Sequence, residues 1–450
     1  MKNVKKLLPF ALLSCIALSS LSFSGCSDGD NGNVLRVASW DEYICEGGED
    51  SYFEEGLPLY EEFEVWYKET YGKDITVEYI PIQDNETMYN KIKMGDSYDI
   101  LCPSEYMIMK LAEEGLLQKL PASFFDLDNE LNYYAKNLSP YIRDVFDSGK
   151  MNDGSKWSEY TAGYMWGSTG FVYNPENVSA DEVKSWNIFT SESAHRRITA
   201  KDNVRDSYFA GLGMYYEEDM LALKADLESE AISLDEYKTA LSAMMNDTSK
   251  ETMNKVQNKL KQMRENVYGL ETDEGKLDIA TGRFDISYQW SGDAVYTLDV
   301  GESDEINDEP LYLEYAIPEA ASNLWFDGWV LMKDSQNVEA ATAFMNFLSI
   351  PENVIRNMYY IGYTSCIGGN DVFAYVEETY GADEEEENTV EYDLSYFFGE
   401  GFSLITPEEQ TRRQLLAQYP DVNTINRLVV MKYFDKETNE RANRMWNTIK

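Results

Sequence analysis

Val34-Leu35-Arg36-Val37-Ala38-Ser39-Trp40 opens the stretch that decides the fold, and Tyr98-Asp99-Ile100-Leu101-Cys102-Pro103-Ser104-Glu105-Tyr106 ends it. Val34 to Ala38 reads as a buried strand. Leu59, Phe63, Trp66 and Tyr67 recur at helical spacing, which predicts a helix from Pro58 to Tyr71 that stops at Gly72. Ile75, Val77 and Tyr79 alternate as in a strand. Glu86 to Met94 is helical, Tyr98 to Leu101 is a strand broken by Pro103 and Ser104, and Tyr106 to Glu114 is a helix closed by Gly115. This β-α-β-α-β-α succession predicts an α/β protein with a parallel sheet covered by helices on both faces. Ligands of such sheets bind beyond the carboxyl ends of the strands. Trp40 to Tyr43 and Ser104 to Tyr106 hold those positions.

Further along, Tyr160 to Asn174 is rich in glycine and aromatics and reads as the crossing into a second domain. Ile198 to Thr199 is a short strand, and Asp202 to Tyr216 is a helix opened by an Asp/Asn cap. Glu217 to Val267 is long, polar and helical. Phe284 to Gln289 is a strand that delivers Trp290 at its end, and Leu311 to Ile317 is another. Leu324 to Met332 crosses back. Val338 to Leu348 is an amphipathic helix, and Pro351 starts the next one. The C-terminal third reads as helical and is expected to pack around the first domain. The acids at 383–387 form a solvated loop.

Aromatic residues stand next to carboxylates at four of these strand ends: Trp40-Asp41-Glu42-Tyr43, Ser104-Glu105-Tyr106, Trp290-Ser291-Gly292-Asp293 and Trp325-Phe326-Asp327. A ring face attracts a cation by about 0.5–2 kcal/mol, depending on burial. A carboxylate adds a charge-assisted hydrogen bond to an ammonium. Any single pair is as readily core packing beside a solvated acid. Four together predict a box for a small organic cation.

The front of the chain reads as an export signal. Met1 to Lys6 carry three lysines, Leu7 to Phe23 is apolar, and Phe23-Ser24-Gly25 precedes Cys26. Residues 1–25 are therefore expected to be a lipoprotein signal peptide, with lipid on Cys26 and a tether over 26–33. The net charge of −43 excludes nucleic acid, whose binding needs many basic contacts to phosphate. It also steers cations toward the surface. Cys45, Cys102 and Cys366 make no disulfide framework and no metal spacing. A bond between Cys45 and Cys366 stays open as an alternative. The single histidine, His195, lies beside Arg196 and Arg197 and reads as a surface residue.

Ordered motifs of this chain resemble the spermidine/putrescine-binding proteins of ABC transporters. They are Val37 to Tyr43, Asn85-Glu86-Thr87-Met88-Tyr89-Asn90-Lys91, Tyr98 to Tyr106, Trp290-Ser291-Gly292-Asp293-Ala294, Asn323-Leu324-Trp325-Phe326-Asp327 and Ile361-Gly362-Tyr363. The likeness covers about 34–215 and 280–365. It implies a type II periplasmic-binding-protein fold, with two α/β lobes, a hinge of crossing strands and a ligand cleft. Lobe 1 would be 34–160 with 328–450, and lobe 2 would be 161–327. It implies a polyamine as ligand, ABC permease subunits as partners and a monomer on the outer face of the cytoplasmic membrane or in the periplasm. No cofactor, metal or chemistry is implied. The implied contacts are Trp40, Asp41 and Tyr43 on one wall, Ser104 and Tyr106 from the first lobe, and Asp206 after Arg205. Trp290, Asp293, Trp325 and Asp327 would form the central box, with Tyr363 beside them. Asn203 stands where some members have a second carboxylate, and Glu105 where others are neutral. Both departures bear on diamine against triamine. The stretches 217–280 and 370–420 are larger than the family needs.

Two other classes are compatible with parts of the sequence. A secreted glycosidase would use paired carboxylates, but these acids recur at the strand ends of two lobes, and no G-x-S-x-G, P-loop or G-x-G-x-x-G motif occurs. A receptor of the same fold could take a sugar, a thiamine-like cation or ferric iron. A sugar gains little from several inward acids, and iron needs clustered tyrosines.

Overall fold

The computed structural model describes residues 33–48, 51–53, 56–271, 274–303, 307 and 309–450. The expected signal peptide, Cys26 and most of the tether lie outside these. The opening alternation folds as its periodicity requires. Strand β1 (Val34–Trp40) pairs in parallel with β2 (Thr76–Ile82) on one side and β3 (Ile100–Leu101) on the other. Helix α1 (Leu59–Tyr71) buries Leu59, Phe63 and Tyr67, the i, i+4, i+8 face, and ends at Gly72. Helix α2 (Asn85–Met94) starts where the Asp84 carboxylate accepts from the Thr87 amide at 2.6 Å. Helix α3 (Glu105–Glu113) follows β3 after the Cys102–Pro103–Ser104 break. Each large side chain so buried contributes about 1.5–3 kcal/mol.

Two long strands carry the chain between lobes. Thr161–Tyr173 and Ser322–Met332 are 13 and 11 residues long, and every residue of both is buried. They pair antiparallel, with a register shift at Asp327/Gly328. Ser322–Met332 continues antiparallel onto β3, and Thr161–Tyr173 onto Ile286–Trp290, which pairs in parallel with Ile198–Lys201. The sheet is thus continuous across the molecule, in the α/β architecture expected from the sequence, and the antiparallel crossing strands make it mixed. One core gathers β1, β3, α1 and α3 with Phe344, Phe347 and Trp329. A second gathers Phe171, Trp186, Phe209 and Tyr288 with the helices of 204–266. The polar stretch after Glu217 belongs to three helices, Val204–Glu228, Leu234–Met245 and Lys250–Asn266, whose apolar stripes supply that core.

The C-terminal third departs from its expected course in two ways. It contains an antiparallel hairpin, Thr389–Asp393 with Ser403–Pro407. Phe397 of the same region stacks on Trp166 at 5.5 Å in the first core. The last helix, Lys436–Trp446, instead buries Ala442, Met445 and Trp446 in the second core. Its apolar stripe is short, and the second core is the one that presents a complementary face. Residues 383–387 are exposed, and so is His195, whose Nδ1 lies 2.8 Å from Asn266 Oδ1.

Cys45, Cys102 and Cys366 are all free and buried, so no bond joins Cys45 to Cys366. Burial raises the pKa of each thiol. Peptide mass spectrometry after alkylation should find all three unlabelled in the native protein. All three should be labelled after unfolding without reductant.

Candidate functional site

The site forms where β-strand ends from both lobes meet the crossing strands. Tyr43, two residues past the end of the Trp40-Asp41 pair and just after Glu42 (φ 51°), turns inward and is buried. Its hydroxyl donates to Asp327 Oδ2 at 2.6 Å. Its ring meets Tyr363 edge-on at 5.9 Å, and Tyr363 lies 5.3 Å from Trp325. The Tyr363 hydroxyl donates to Asp293 Oδ1 at 2.9 Å. An aromatic line therefore joins two buried carboxylates, Asp327 and Asp293. Two glycines permit this packing. A Cβ on Gly167 would fall 2.5 Å from Trp325, and one on Gly292 would fall 1.7 Å from the Tyr363 ring. Trp325 is held from behind by its indole N–H, which donates to the Ser168 carbonyl at 2.9 Å.

At the Asp327 end, acids are concentrated, and among the described residues none of them makes an ion pair, although the Arg205 charge pulls the Glu105 pKa down in part. Burial pushes the Asp327 carboxyl up to about 6, although hydrogen bonds from Tyr43 and Ser104 favour its charged form. Ser104 bridges to Asp327 through the backbone. Glu105, only 3% exposed, is pushed up to about 8, first by burial and then by the charge on Asp327. Its Oε2 has no hydrogen-bond partner among the described residues. Asn85 donates to both the Ser104 and Tyr106 hydroxyls at 3.1 Å. Tyr106 in turn donates to Glu86 at 3.2 Å.

The second lobe brings cations as well as acids. Asp206 stands in the first turn of a helix whose cap, Asn203, accepts from the Asp206 amide at 2.8 Å. Burial raises its carboxyl pKa, against the pull of Asn203, Lys201, Arg205 and the Trp290 indole. Lys201, 2% exposed, places its ammonium 3.6 Å over the Trp290 ring and 3.5 Å from Asp293 Oδ2. Lys276 reaches Asp293 Oδ1 at 3.2 Å. Burial alone would raise the Asp293 pKa, but these two ammoniums and Tyr363 outweigh it and hold it low. Arg205 lies between the Tyr106 and Phe434 rings, at 4.1 and 4.2 Å, and donates to the Lys432 carbonyl.

Of the residues marked out by the sequence, Tyr43, Ser104, Asp293, Trp325, Asp327 and Tyr363 are linked directly. Asp206 and Trp290 join them through Lys201. Tyr106 is attached through Asn85 and Arg205. Trp40 is half-buried and accepts from Tyr79 at its carbonyl, while Asp41 is exposed. The sequence reasoning passed over Lys201, Lys276 and the packing of Arg205. Lys201 had a local signal, a lysine on an apolar strand end two residues before a helix cap. Lys276 had none. Among the described residues no group of three His, Cys, Asp or Glu side chains could hold a metal ion, and no helix is long and apolar enough to cross a membrane.

The family model for bacterial extracellular solute-binding proteins matches residues 59–369. The spermidine/putrescine-binding periplasmic protein of Escherichia coli is 24% identical over 337 residues, which is 74% of this chain and 78% of that protein. The putrescine-binding periplasmic protein SpuD of Pseudomonas aeruginosa is 26% identical over 340 residues, 74% of this chain and 77% of its own. The spermidine/putrescine transporter substrate-binding protein of Streptococcus pneumoniae superposes with a TM-score of 0.59 at 25% identity. That match covers 93% of this chain and 98% of the other.

A buried acid with a raised pKa binds its proton more tightly folded than unfolded, so its penalty on stability appears as pH rises from about 4.5 and is complete above about 8 for Glu105. Glu105→Gln should therefore stabilise the ligand-free protein at pH 8 by about 1–3 kcal/mol and change little near pH 4.5. Denaturant titrations at the two pH values measure this directly.

Proposed function

Because the chain belongs to the bacterial extracellular solute-binding protein family, we propose that it is the extracytoplasmic receptor of an ABC importer, that its ligand is a polyamine, putrescine or spermidine, and that it delivers this ligand to the permease. The observation that carries the reading is the Asp327 end of the site. It holds a buried carboxylate with no ion pair among the described residues, a second buried acid beside it in Glu105, and the rings of Tyr43, Trp325 and Tyr363 around it. An isolated buried charge is costly, and an arriving ammonium would remove that cost. Rings enclose the methylene rod and exclude water, and carboxylates at set positions measure its length.

The two lobes would close on the ligand about the crossing strands, and the site performs no chemistry. Trp40, Asp41, Tyr43, Ser104, Tyr106, Asp206, Trp325, Asp327 and Tyr363 are the proposed ligand surface, and Trp290 and Asp293 bound it at the second-lobe end. The chain would work as a monomer held to the membrane by lipid on Cys26. The relatives named for spermidine and putrescine support the ligand class. Tyr43 argues against ferric iron, since burial and then Asp327 push its phenol pKa far up and its proton is engaged by that acid.

A micromolar site needs about −8 kcal/mol, which two amine–carboxylate pairs and a few ring contacts supply net of association costs. Titration calorimetry of refolded, ligand-free protein tests this. Asp327→Asn and Trp325→Ala should each weaken amine binding at least tenfold, about 1.4 kcal/mol or more, with the circular dichroism of the fold retained. Near-wild-type affinity in both would sink the reading. An ammonium favours ionised Asp327, so affinity should fall as pH drops through about 6.

A further inference from the structure

Trp290 and Asp293 are the ring and acid that the second lobe offers to a ligand ammonium, and the protein's own ammonium is already there. Lys201 Nζ sits 3.6 Å over the Trp290 ring and 3.5 Å from Asp293, with the side chain 2% exposed. Lysine is rarely buried unless paired, and here both the ring face and the carboxylate compensate its desolvation. Its place is fixed by the backbone. Lys201 ends the strand Ile198–Lys201, which pairs with Ile286–Trp290, and its carbonyl accepts from Ser207 Oγ at 2.7 Å on the next helix. Lys276 pairs with the same Asp293 from another helix at 3.2 Å. Asp293 thus faces two of the chain's own ammoniums. A ligand ammonium arriving there would meet Lys201 on a ring face already covered.

The other acids of the site are placed differently. Asp327, Glu105 and Asp206 have no ion pair within 4 Å among the described residues, and Asp327 and Glu105 lie together at the far end of the aromatic line. The number of ammonium positions left to a ligand is therefore one fewer than the aromatic–carboxylate motifs count.

We propose that Lys201 is a specificity-determining residue, a built-in cation that occupies the Trp290–Asp293 subsite and leaves a cleft for a diamine in preference to a triamine. This rests on the polyamine reading above. The subsite is filled by the chain, so a ligand must end before it. A ligand with a third ammonium would have to displace Lys201 or leave that charge unpaired.

Titration calorimetry with putrescine and spermidine, at one ionic strength, on the wild type and Lys201→Ala tests the assignment. Lys276 and Tyr363 still hold Asp293 in the variant, so no bare buried charge results. The wild type should bind putrescine more tightly than spermidine. In Lys201→Ala the ratio of spermidine to putrescine affinity should rise at least fivefold. A wild type that prefers spermidine overturns the proposal, whether or not the variant folds. A ratio that rises less than fivefold also overturns it, including the case where both amines gain equally, because Lys201 would then be a placeholder that any ligand displaces. Failure of both amines to bind the folded wild type would instead overturn the polyamine reading, and this proposal with it.

Discussion

The pairing of two fully buried strands, Thr161–Tyr173 with Ser322–Met332, is the constraint on which the rest depends. Thirteen and eleven residues without a solvent-facing side are the mark of a strand covered on both faces along its length. The backbone groups of such strands must bond to each other, since water is absent. That requirement fixes the register, and the register fixes where Trp325 and Asp327 stand relative to Gly167 and Met165. The shift at Asp327/Gly328 lies at the carboxylate itself. Irregularities of this kind re-aim side chains near sites.

Around this frame the electrostatics separate into two unlike halves. On one side, Asp327 and Glu105 are acids driven toward neutrality by burial, and the charge on Asp327 adds to the shift of Glu105. On the other, Asp293 is held charged by Lys201 and Lys276 despite its burial. The same residue type is thus poised to accept a cation in one place and already ion-paired in the other. A chain of strong negative charge draws cations from solution, with screening beyond about 10 Å at ordinary salt. Discrimination between cations rests on the buried groups, because only they feel a low dielectric.

The segments 217–271 and 370–420 are structural in the first instance. Met253, Val256, Leu260 and Met263 of the first segment line the second core, and Phe397, Phe398 and Tyr419 of the second line the first core. They thicken each lobe, and Lys276, just beyond the first, reaches Asp293 at one end of the aromatic line.

Local physics made much of this legible from the chain alone. Period, caps and breakers located β1 to α3, the helix Val338–Leu348 and the strand ends that carry the rings and acids. Those signals lie within a few residues of each other, so the sequence by itself determined the order of elements and the presence of a cation-seeking set. Partnership was not legible. Lys201 and Lys276 reach Asp293 from 92 and 17 positions away, Tyr43 reaches Asp327 from 284, and the last helix joins the second core from the far end of the chain. Only the tertiary structure decided which carboxylates are satisfied and which are left waiting, because Coulomb energy and desolvation depend on distance through space, and the chain's local pattern carries no record of it.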